Sequence, residues 1–154
     1  MPHKAEGSKK LKEIVSRTYD SITVYSTICK DLENHEIHLV CKDIVSQKKK
    51  FVMELSSQLA NMGDEVINEN NYNETLVRSW ITPINTSVIS DKNLIDQCIK
   101  AEWNASEDYD DLLTKEIEVG SDLYKVATSH RSMINQSLRK LEMLHKGINV
   151  NVAS

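Results

Sequence analysis

Glycine and proline are scarce in this chain, with 4 Gly and 2 Pro in 154 residues. Average usage of about 7% and about 5% would supply roughly 18 between them. Every hairpin of a β-sandwich or barrel draws on such turn residues, so this supply cannot serve many short strands. The chain is therefore expected to be all-α. Its length suits one domain, residues 1–154, with one core, and aromatics at 5% make that core mainly aliphatic.

Four stretches carry the three-and-four spacing of an amphipathic helix. In residues 8–32 the stripe is Leu11, Val15, Thr18, Ile22, Tyr25, Cys29 and Leu32. In residues 35–62 it is Ile37, Cys41, Ile44, Lys48, Phe51, Leu55, Leu59 and Met62, with Asn34 as N-cap and Gly63 as stop. Residues 91–115 follow Ser90 as cap and show Ile95, Cys98, Glu102, Ala105, Tyr109 and Leu112. Residues 121–146 show Leu123, Ala127, His130, Ile134, Ser137, Leu141 and Leu144, and Gly147 is expected to end that helix. At 1.5 Å per residue each is roughly 37 to 42 Å long, so the four match as members of one bundle. Residues 1–7 and 149–154 are expected to be loose tails.

Tight turns near Glu33-Asn34 and near Glu118-Val119-Gly120 make two antiparallel hairpins. Between them lie residues 63–90, a polar loop over 68–73 followed by a short amphipathic helix over 74–88 with Leu76, Val77, Trp80, Ile81 and Ile84. Two hairpins joined by a long crossover with its own helix have the connectivity of a ferritin-like four-helix bundle.

Several classes of function are disfavoured. Net charge is −4 and the pI about 5.7, a poor footprint for nucleic acid. Lys48-Lys49-Lys50 is the single basic triplet, and such runs commonly form a solvated face. No apolar run is long enough to span a membrane, and the first ten residues lack the apolar stretch of a secretory leader. Cys29, Cys41 and Cys98 are odd in number and form no Cys-x-x-Cys pair, which fits reduced thiols in a cytoplasmic protein. There is no phosphate-binding glycine loop and no nucleophile motif, so no catalytic residue and no cofactor is assigned. Glu107, Asp108, Asp110 and Asp111 read as a solvated acidic face.

Short strings along the chain resemble a bacterial ferritin-like family, domain of unknown function 2383. They are Asp20 with Tyr25, Phe51-Val52-Met53-Glu54-Leu55, Arg78-Ser79-Trp80, and Cys98-Ile99-Lys100-Ala101-Glu102. The resemblance implies a ferritin-like four-helix bundle. It also implies a degraded metal site. Of two family Glu residues three apart, the first position here is Ile99 and only Glu102 remains, and a family His-Asp pair falls near Asn135-Gln136.

A di-iron carboxylate site needs a Glu from each of two helices and Glu-x-x-His from each of the other two. This chain has one such motif, Glu142 to His145, at the far end of its helix, and no metal ligand is assigned. His35 and His38, beside Glu33 and Glu36, offer at most an adventitious surface site. Two charged residues and a histidine, Lys48, Glu102 and His130, are placed on buried stripes near mid-helix, and they form a candidate buried polar layer. Lys48 and Glu102 each lie about 21 to 24 Å from their tight turns, at a common level. An interior Lys48–Glu102 ion pair is expected there in place of a metal centre.

Two functions follow from different classes. One is a non-catalytic bundle acting through protein contacts, for which a homodimer is one arrangement, with Trp103 either flanking the core or meeting a second subunit. The other is an atypical metal-binding protein or di-metal oxidoreductase.

Overall fold

The computed structural model describes residues 2–64, 67, 80–83 and 88–153. Four long helices account for nearly all of them: α1 (Pro2–Asp31), α2 (His35–Asn61), α3 (Asp91–Asp111) and α4 (Asp122–Ala153). Among the described residues there is no strand. Neighbouring pairs are α1 with α2, α3 with α4, α2 with α4 and α1 with α3, an arrangement consistent with a four-helix bundle. α2 and α3 therefore stand on a diagonal of the core.

Contacts at the helix ends set the directions. The Asn34 side-chain amide, at the head of α2, donates to Asp91 at the head of α3 (3.4 Å). At the opposite end Ser8 of α1 bonds Asp64 beyond α2. Hence α2 and α3 run parallel, α1 and α4 run against them, and the connection from α2 to α3 traverses the length of the helices. Its expected loop (68–73) and most of its expected helix (74–88) lie outside the described residues. Trp80, Ile81, Thr82 and Pro83 are described, and none is helical.

The turn chemistry follows the residues. Asn34 caps α2 by accepting from the Ile37 amide (3.1 Å), and Ser90 caps α3 by accepting from Asn93 (3.2 Å). Gly63 and Gly120 have φ of +74° and +86°, backbone that glycine adopts without strain. Other boundaries differ from the periodicity. α1 begins at Pro2, where proline loses no helical bond because first-turn amides have no acceptor. α3 ends in a π-helical turn, Leu112–Glu116, where the adjacent Leu112 and Leu113 are both buried. Gly147 does not stop α4, which continues to Ala153. One helical glycine costs only about 1 kcal/mol relative to alanine, too little to end a helix by itself.

The expected stripes form the core. Ile37, Cys41, Ile44, Phe51, Leu55 and Leu59 of α2 meet Ile95, Cys98, Ala105 and Tyr109 of α3 and Ala127, Ile134 and Leu141 of α4 in one cluster. On α1 the buried face is wider than the single stripe and takes in Ile14, Ser21, Val24 and Ile28, while Ile22 and Cys29 are only half-buried. That width suits a helix covered by α2 on one side and by α3 with its π turn on the other. Among the described residues no helix is long and apolar enough to cross a membrane.

A buried polar layer as the candidate functional site

Lys48 sits one turn beyond Ile44 and one before Phe51 and Val52, so helical spacing aims it inward with its apolar neighbours. Only 1% of the residue is exposed. Its two basic neighbours, Lys49 and Lys50, are exposed, so the basic triplet is not a uniform solvated face. Across the diagonal, Glu102 of α3 is equally buried. Lys48 Nζ lies 3.1 Å from Glu102 Oε1. The other carboxylate oxygen, Oε2, accepts the Tyr25 hydroxyl of α1 at 2.9 Å. Burial, then the Glu102 charge, push the Tyr25 pKa well above its usual value, so the phenol stays protonated as a donor. Trp80 roofs the ammonium, its ring centroid 5.2 Å from Nζ, within cation–π range.

His130 of α4 is buried beside this pair rather than bonded into it. Its ring stacks on Phe51 with centroids 3.9 Å apart, and its Nδ1 shares a hydrogen bond with the Tyr109 hydroxyl (3.0 Å). With Tyr109 donating, the ring proton rests on Nε2. That nitrogen has no hydrogen-bond partner, and Glu54 Oε2 stands 3.6 Å away. Burial, with help from Lys50 and Lys48, lowers the imidazole pKa to about 3, so His130 is neutral at pH 7. An unfolded histidine takes a proton near pH 6.5. Between those two values the unfolded chain binds more protons, and stability must fall as pH falls. Urea unfolding is expected to show His130→Gln losing less stability than the parent between pH 7 and pH 5, by about 1 to 2 kcal/mol. Equal pH slopes for the two proteins would contradict a buried neutral His130.

Asp108 forms a second cluster. It belongs to the expected acidic face, yet its side chain is half-buried and accepts Lys10 (3.0 Å), Arg17 (2.6 Å) and the Trp80 indole N–H (2.6 Å). The reading of that whole face as solvated is therefore corrected at Asp108. Its partners come from α1 and from the connecting segment, too remote in sequence for spacing to reveal. Asp110 pairs with Arg131, and Asp111 with Lys10 and Lys115.

The cysteines are free thiols, and Cys41, from α2, lies close enough to Cys29 of α1 and Cys98 of α3 for the three to affect one another's titration. The contact with Cys41, then burial, raise the Cys29 thiol. At Cys41 the Cys29 thiol pulls downward, but Cys98, burial and the Glu102 charge outweigh it. Both thiols are protonated at neutral pH and are poor nucleophiles.

The possible metal ligands do not converge. Among the described residues no group of three or more His, Cys, Asp or Glu is placed to hold a metal ion. His145 pairs instead with Asp96 (2.8 Å), and His38 Nδ1 shares a hydrogen bond with the Cys29 carbonyl (2.9 Å). At Glu102, where a bundle metal would be sought, the ammonium of Lys48 occupies one carboxylate oxygen and a phenol the other.

A family model described as a domain of unknown function, DUF2383, matches residues 6–115. The chain belongs to that family. The DUF2383 match takes in Tyr25, Lys48, Glu54, Glu102 and Asp108, and ends within the π turn, so His130 lies beyond it. No curated protein matches the chain.

Proposed function

We propose that this DUF2383 chain is a single-domain, ferritin-like bundle of the cytoplasm that is not an enzyme and acts through protein–protein contacts. The long connection between two parallel helices, flanked by two tight hairpins, supports the ferritin-like connectivity. One observation carries the loss of metal chemistry: a buried ammonium 3.1 Å from Glu102. It repels a divalent cation and uses the carboxylate that would bind it.

The orphan Nε2 of His130 facing Glu54 favours a second reading, an atypical metal site on α2 and α4. Two ligands fall short of the three protein ligands that catalytic metals usually keep. Aerobic iron loading followed by elemental analysis separates the readings. The expected result is no stoichiometric iron, manganese or zinc after desalting. One or two iron atoms retained per chain would overturn the proposal.

A further inference from the structure

Trp103 is the large aromatic residue that α3 leaves in solvent, 55% exposed. Lys100 lies three residues before it and Glu107 four after, so all three share one exposed stripe. The charges around this stripe are not alike. Asp96 and Asp110, one turn further out, have neighbours within the chain: His145 Nε2 stands 2.8 Å from Asp96, and Arg131 donates to Asp110 (2.5 Å). Lys100 and Glu107 take part in no ion pair among the described residues. The stripe thus presents an unpaired cation and an unpaired anion, each about one turn from an exposed indole.

A partner for this stripe must place an anion over Lys100 and a cation over Glu107, with an apolar surface between. A second α3 running antiparallel, related by a two-fold axis between residues 103 and 104, does so by symmetry: position 100 of one copy faces 107 of the other, twice. Position 103 then faces 104, so the two indoles meet beside the axis. The same axis sets Asp96 against Asp111, and Asp111 is neutralised at home by Lys115 (3.5 Å) and Lys10 (3.8 Å). Self-complementarity of this kind is what an isologous dimer requires.

We propose that the α3 face centred on Trp103 is the interface of an antiparallel homodimer, closed by two symmetric Lys100–Glu107 pairs. The inference deepens the contact-based reading above and names its partner as a second copy of this chain.

Sedimentation equilibrium of the full chain over a concentration series tests it. The parent protein is expected to reach twice the 17.6 kDa chain mass, with dissociation rising with salt. Lys100→Glu and Glu107→Lys each turn two attractive pairs into repulsive ones, and each should weaken the dimer about tenfold or more. The double reversal restores opposite charges and should return the affinity to within about threefold of the parent. Trp103→Ala should weaken it on the order of a hundredfold, as central aromatic anchors do. All three side chains are exposed, so helicity by circular dichroism should be unchanged. A parent protein that stays monomeric, a double reversal no tighter than the single ones, or a Trp103→Ala dimer of parental affinity would each overturn the interface. Metal analysis of the same samples keeps the two readings apart. A metal-free monomer removes the interface alone, whereas an iron-loaded dimer removes the non-catalytic reading alone.

Discussion

Replacing Lys48 by methionine should destabilise the protein by about 3 to 5 kcal/mol, the range for removing one partner of a buried ion pair. Methionine keeps most of the apolar stem, so packing along Ile44, Lys48 and Phe51 changes little. The cost arises at Glu102, left charged and 1% exposed with only the Tyr25 hydroxyl facing it. Glu102→Gln alone should cost a comparable amount, because the ammonium then lacks its counter-charge. The double variant should recover to within about 1 to 2 kcal/mol of the parent. Neither side chain is then charged, and the amide oxygen introduced at position 102 can still accept from Tyr25. A thermodynamic cycle from urea unfolding should therefore give a coupling energy of about 4 kcal/mol or more. Additive effects near zero would show that the pair is solvated and would remove the main support for an ammonium in place of a metal.

The position of this pair was accessible to sequence reasoning, and its environment was not. Lys48 and Glu102 stand on stripes whose other members are nearly all apolar, so helical period alone aims them inward. Matched distances from two tight turns then bring them to one level. Tyr25 lies on the stripe of α1 and Tyr109 on that of α3, and a buried phenol needs a partner, but spacing does not say which. Their bonds to Glu102 and His130 depend on which helices adjoin, and that depends on the long connection running the full length of the bundle. Asp108 shows the same limit more sharply. Within Glu107–Asp111 it looks like one more solvated acid, yet it binds Lys10, 98 residues away in sequence. The stop expected at Gly147 failed because one helical glycine costs only about 1 kcal/mol relative to alanine, and helical period alone does not show that the helix from Asp91 turns π-helical over Leu112–Glu116, where two consecutive leucines are buried.

Trp80→Ala should cost about 3 to 5 kcal/mol, as large aromatic truncations in cores do. Trp80 is 8% exposed and comes from the connection between α2 and α3, not from any long helix. Its ring lies over Lys48 of α2, and its indole N–H donates to Asp108 of α3 at 2.6 Å. One side chain thus holds the connecting segment against both helices of the diagonal. The contributions separate by substitution. Trp80→Phe keeps an aromatic face over the ammonium and loses the hydrogen bond to Asp108, which retains Lys10 and Arg17. That change should cost about 1.5 to 3 kcal/mol, the range for a hydrogen bond to a charged group. Trp80→Ala also uncovers Lys48, so water reaches the ion pair and the penalty for stranding Glu102 shrinks. In the Trp80→Ala background, Lys48→Met should therefore cost clearly less than in the parent. The same urea series measures both effects. A loss below about 1 kcal/mol for Trp80→Ala would mean that the indole does not anchor the connection. An unchanged cost for Lys48→Met would mean that it does not shield the pair.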